Sequence, residues 1–146
     1  MGWKSPTGGS GTGWTNVPNA YDDNTGSYAL EPATAGGNFG PPLELTVGPV
    51  LCDRIRAYLF YQAWCFAATI EVYYDDDYHE IGSGMFSSGW NYWDVVPGSP
   101  KKSKVVSKIR LTFLHYIIVG QTRVYEADVH TVMPRLMEYY KRRRAS

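Results

Sequence analysis

Cysteine is scarce in this chain: Cys52 and Cys65 are the only two. On the strand pattern described below, one precedes a strand and the other lies in the connection after it, about 20–30 Å away at the rise of extended chain. Both are read as free thiols, which excludes a disulfide scaffold and gives no support to an oxidising compartment. Long apolar runs are also missing. No stretch approaches the roughly 20 residues of a membrane-spanning helix, and the opening MGWKSPTGGSGTGW lacks the apolar segment of a signal peptide. Histidine is limited to His79, His115 and His130, in unrelated segments without metal-ligand spacing. Phosphate-loop, nucleophile-elbow and HExxH patterns are all absent, so the chain is read as non-enzymatic.

Charge is sparse too, with 19% charged residues and a formal net charge of zero. It is unevenly spread. Residues 135–146 hold Arg135, Lys141, Arg142, Arg143 and Arg144 against Glu138, a net +4, and the rest of the chain therefore carries −4. With cations confined to this tail and the loop at 101–108, nucleic acid is not the expected partner. The tail has two readings, a solvated terminus or a docking segment for a neighbouring protein.

Aromatic residues are abundant, with 12 Tyr and 5 Trp among 146 residues. The length suits one domain with its own core. Period-2 alternation dominates from residue 54 onward. Ile55, Ala57, Leu59 and Tyr61 alternate with Arg54, Arg56, Tyr58 and Phe60; Ile70, Val72 and Tyr74 repeat the pattern, as do Ile109, Leu111 and Phe113. The Asp75-Asp76-Asp77 triplet reads as a hairpin loop rather than a metal cage. Strands every 10 to 15 residues predict an all-β, antiparallel β-sandwich spanning 14–133. Residues 1–13, rich in Gly, Ser and Thr, read as an N-terminal arm, and 16–42 as structured loops. Residues 134–146 form the basic tail, the one segment with a helical option, Pro134 standing at its first turn.

The stretch NAYDDNTGSYA at 19–29 gathers Asn19, Asp22, Asn24, Thr25 and Ser27, a composition that suits a turn and also suits a hard cation, which takes 6 to 8 oxygen ligands. This stretch, with Tyr28, with Ile109, Arg110, Leu111 and Phe113, and with the closing VYEADV at 124–129, resembles the galactose-binding-like jelly roll of the discoidin (F5/8 type C) group, which includes fucose-binding lectins. The resemblance covers residues 14–132. It implies a structural calcium held by Asn19, Asp22 and Asn24 together with Glu126 and the carbonyl of Tyr125, the alternative being that Glu126 only accepts hydrogen bonds from the loop backbone. The sequence departs from the group at Asp23, where a glycine is usual, and lacks the basic His/Arg set of the sugar-binding members.

Segments such as ATIEVYYDDDYHEIGSGMFSSGWNYWDVV further resemble the copies of this domain found in tailed-phage particles. That resemblance implies a non-catalytic structural or attachment module of a virion, a head-surface, tail or fibre component assembled in the host cytoplasm. Its partners would be other virion proteins in a homo- or hetero-oligomer, docked through the arm and through Arg135, Lys141, Arg142, Arg143 and Arg144. The alternative is a carbohydrate-binding module recognising cell-surface glycans, in which Trp64, Trp90, Tyr92 and Trp93 stack on sugar rings. In WNYW, alternation puts Trp90 and Tyr92 on one face and Trp93 on the other.

Overall fold

The computed structural model describes residues 2–60, 65–116 and 119–133. Nine strands run through it: β1 (Gly2–Lys4), β2 (Gly8–Ser10), β3 (Ala29–Leu30), β4 (Leu43–Phe60), β5 (Cys65–Tyr74), β6 (Asp77–Gly84), β7 (Gly89–Asp94), β8 (Lys104–His115) and β9 (Arg123–Thr131). The only helical element among the described residues is a 3-10 turn at Val17–Tyr21. All strand pairs are antiparallel.

β4 organises the fold. Its first half pairs with β8 and, at Glu44–Thr46, with β2; its second half lies between β9 and β7. Bulges between Thr46 and Val50 and between Cys52 and Arg54 bend the strand, so that one element of 18 residues passes from one sheet into the next. One sheet is then β2-β4-β8-β5-β6, and the other holds β1 and β3 against β9, followed by β4 and β7. Folded face to face, they form the expected antiparallel β-sandwich.

The alternation seen in the sequence sets the core. Ile55, Ala57, Leu59, Ile70, Val72, Ile109, Leu111 and Phe113 are all buried, as are Val124, Ala127 and Val129 from the opposite strand. Each large apolar side chain so buried contributes about 1.5–3 kcal/mol, which is why the period-2 positions decide the fold. Trp14 and Phe86 close on Phe113 at ring-centroid distances of 6.2 and 5.7 Å. Cys52 is a buried free thiol, its pKa pushed up to about 12 by burial. Asp75 and Asp76, at φ 51 and 60, make the tight β5–β6 hairpin turn, as the acidic triplet suggested.

Two expectations are sharpened. The N-terminal arm is strand-paired along its length: β1 pairs with β9 and β2 with β4, and Trp14 is buried with its indole N–H donating to the Pro41 carbonyl at 2.9 Å. Backbone pairing to strands that already have a core face holds this stretch, so it needs no apolar pattern of its own. The long strand also begins at Leu43 rather than near residue 54. Pro49 hid its first half, and the structure places that proline within the bulge. The tail residues Arg135, Lys141, Arg142, Arg143 and Arg144, and the ring of Trp64, lie outside the described residues. No helix among the described residues is long and apolar enough to cross a membrane.

Candidate functional site

The loop at 19–28 closes on itself. The Asn19 amide donates to the Tyr28 carbonyl (3.1 Å), Asp22 accepts from the Asn24 backbone N–H (3.1 Å) and the Ser27 hydroxyl (2.5 Å), and Asn24 Oδ1 accepts from Gly26 N–H (2.8 Å). Asp23, which stands where the resembling group has glycine, takes φ 56, a left-handed conformation that Asp tolerates better than most residues. Glu126 sits beneath this loop, 1% exposed, with neither carboxylate oxygen hydrogen-bonded. Burial and then the neighbouring Asp128 push its pKa up to about 8, while the Asp23 backbone amide works in the opposite direction. An orphaned buried carboxylate beside Asp22 is chemically suited to a hard cation. The remaining oxygens would have to come from carbonyl and amide groups, because no cluster of three His, Cys, Asp or Glu side chains forms among the described residues. Tyr125 contributes its ring to the neighbouring face, 5.2 Å from Tyr28 and 5.5 Å from Tyr58.

WNYW is divided as alternation requires. Trp93 turns inward against the core and lies over Gly82, where a Cβ would come within 2.3 Å of its ring. Trp90 and Tyr92 face outward in a layer that the sequence reading did not assemble. Tyr58 meets Trp90 edge-on at 5.3 Å, the Arg56 guanidinium lies over both Trp90 (4.2 Å) and Trp3 (4.4 Å), and Trp3 meets Tyr92 at 5.9 Å. Arg54 and Arg56 alternate with buried Ile55 and Ala57, so their outward direction was readable. Trp3 was not, because its position depends on the pairing of Trp3 with His130.

A third region lies at the end of the sandwich that carries the 31–42 loop and the β6–β7 and β8–β9 connections. Phe39 bridges to Leu114, Leu114 pairs with Ala67, and Met85 follows the Gly84 that pairs with Ala68, which brings Phe39 and Met85 to the same end. Phe39 (57%), Tyr116 (57%) and Met85 (74%) are among the most exposed large apolar side chains described. Under them a fully buried pair joins the loops: His115 Nε2 lies 2.5 Å from Glu31 Oε1, which also accepts from the Thr122 backbone N–H at 3.0 Å. Burial pushes the Glu31 pKa up to about 8 and that of His115 down. Gly40 is required here, since a Cβ would fall 1.9 Å from Glu31 Oε2.

No protein-family model matches this sequence, and no curated protein does. Solved structures do match it. The chain is similar to the CBM32 of AlyQ in complex with 4,5-unsaturated mannuronic acid, at 11% identity and a TM-score of 0.64 over 88% of this chain and 98% of that one. It is similar to chitosan-binding module 1 of a chitosanase/glucanase from Paenibacillus sp. IK-5, at 13% identity and a TM-score of 0.62 over 86% and 95% of the two chains. A CBM32 from Clostridium perfringens in complex with GlcNAc-alpha-1,4-galactose matches at 14% identity and a TM-score of 0.59, over 88% and 91%. At these identities the likeness is one of fold. The chain shares the β-sandwich fold of the CBM32 modules it matches.

Proposed function

We propose that this chain is a non-catalytic carbohydrate-binding module that takes up sugar at the loop-bearing end. The observation that carries the reading is the exposure of Phe39, Tyr116 and Met85 together at one end of the sandwich. Apolar rings held out on loops above a rigid sheet are what a sugar's C–H face stacks on, and hydroxyls are then selected by polar groups around them. Support comes from fold neighbours solved with bound sugars. Calcium at Glu126 and the 19–28 loop belongs to the same proposal, as a fastening of the loop to β9 rather than a contact to sugar.

The experiment is a glycan array with the purified chain, repeated with Phe39→Ala and Tyr116→Ala. Discrete glycan signals that both substitutions abolish, without a fall in melting temperature, are the expected result. A silent array, or signals untouched by both changes, would remove the reading. The particle-attachment alternative draws no support from the structures named above. The docking residues it depends on, in 134–146, lie outside the described residues.

A further inference from the structure

The two sheets carry their outward cations differently. On the β2-β4-β8-β5-β6 sheet each outward cation with a carboxylate in reach is committed: Arg110 makes a two-pronged pair with Glu71 (2.9 and 2.8 Å), and Lys108 reaches Glu44 at 3.4 Å. On the sheet of β9, β4 and β7, Arg56 is spent on buried Asp128 at 2.9 Å and His130 on Asp53 at 2.7 Å. Arg54 and Arg123 have no carboxylate within ion-pair distance among the described residues, even though Asp94 stands opposite Arg54 in the ladder.

Both of these arginines are held among rings. Arg54 lies 5.4 Å from the ring centre of Trp3 and 5.8 Å from that of Tyr92. Arg123 is placed between Tyr28 (4.6 Å) and Phe60 (4.9 Å), with the Tyr125 hydroxyl as its hydrogen-bonding neighbour. From Arg54 to Phe60, β4 rises about 20 Å at 3.3 Å per residue. Along that length the rings of Trp3, Tyr92, Trp90, Tyr58, Tyr125 and Tyr28 follow one another; of the acids on this face, Glu126 and Asp128 are buried at 1% exposure, and Asp94, part-exposed opposite Arg54, makes no ion pair with it. The result is a strip of aromatic surface with an uncompensated guanidinium near each end.

We propose that this face is a second binding surface, on the sheet and distinct from the end of Phe39, Tyr116 and Met85 that its Arg123 end adjoins, for an acidic polysaccharide of uronate units. Sugar rings lie on the aromatic strip, and Arg54 and Arg123 take carboxylates. A guanidinium matches a carboxylate with two parallel hydrogen bonds, and rings beside it supply the flat apolar contact a sugar needs. Nucleic acid fits the strip less well. It would call for a continuous basic track, whereas the chain before the tail carries a net −4 and the strip offers two spaced charges.

The test is affinity electrophoresis of the full chain in gels containing polygalacturonate, its fully methyl-esterified form, a neutral galactan or single-stranded DNA. Retardation by polygalacturonate, weakened by salt and abolished by esterification, is expected. Arg54→Gln and Tyr92→Ala should each reduce it by about tenfold, the effect of losing one good contact. Tyr92 is half exposed, so its removal leaves the core untouched. The proposal is overturned by absence of retardation, by equal retardation with the esterified polymer, or by retardation lost through Phe39→Ala or Tyr116→Ala instead. Single-stranded DNA retarding the chain as strongly, with the same sensitivity to Arg54→Gln, would reassign the face to nucleic acid. Of these outcomes only a loss through Phe39→Ala or Tyr116→Ala bears on the loop-bearing end; the others leave its reading, tested on the glycan array, untouched.

Discussion

Glu126 and Glu31 are buried acids of one kind with different surroundings, and pH separates them. Glu126 carries a pKa raised from 4.5 to about 8. Above 4.5 the unfolded chain releases this proton and the folded one keeps it, so its contribution to stability is complete below 4.5 and is lost as pH rises to about 8. Glu31 has the same raised value, yet it shares its proton with His115, whose pKa burial lowers from 6.5. Above 6.5 the unfolded histidine has released its proton while the folded pair still holds one until about 8, so this pair's contribution to stability falls on the alkaline side, from 6.5 to about 8. Melting temperature measured across this range should therefore decline from about pH 4.5 upward, more steeply beyond 6.5. Glu126→Gln should flatten the first part and Glu31→Gln the added steepness. Calcium bound at Glu126 should also flatten the first part in the unaltered chain, because a cation compensates the carboxylate as the proton does.

At the level of elements, β7 shows how much of the molecule was legible. Alternation alone separated Trp93 from Trp90 and Tyr92, and the structure keeps that division, with Trp93 partly buried against the core and Tyr92 half exposed. The consequence is measurable by melting. Trp93→Ala should cost about 2–3 kcal/mol and Gly82→Ala, which drives a methyl into the Trp93 ring, about 1–3 kcal/mol, whereas Tyr92→Ala should stay within about 0.5 kcal/mol. Strands 54–60, 69–74 and 109–113 could be read directly because one face is buried and the apolar side chains fall on every second residue. β1, β2 and the first half of β4 could not. Their place comes from backbone pairing to another strand, and Gly8-Gly9-Ser10 or Gly48-Pro49 carries no periodicity from which pairing could be inferred. The same divide runs through the candidate sites. The 19–28 loop is a local cluster and was visible as one, with its partner Glu126 known only through resemblance. Glu31 and His115 lie 84 residues apart, and Trp3 reaches Arg54 and Arg56 only through the β1–β9 and β9–β4 pairings.

For the whole molecule, the decisive feature is that β4 belongs to both sheets. Both proposed surfaces stand on this strand: Phe60 and Arg54 mark the two ends of the aromatic strip, and Leu43 follows the loop that carries Phe39 and the Glu31 contact. In a sandwich made of two separate sheets, one layer can loosen while the other persists. Here the residues from Arg54 to Leu59 are bonded on one side to β9 and on the other to β7, and the preceding residues continue into β8. Neither layer can peel away without taking this strand apart. In deuterium exchange, the amides of Ile55, Ala57 and Leu59 should thus be the slowest in the chain, sharing one rate that responds to denaturant as the global transition does. Those of β1, bonded along one short edge to β9, should exchange many times faster. Deuterium trapped in β4 would then count the complete openings of the molecule.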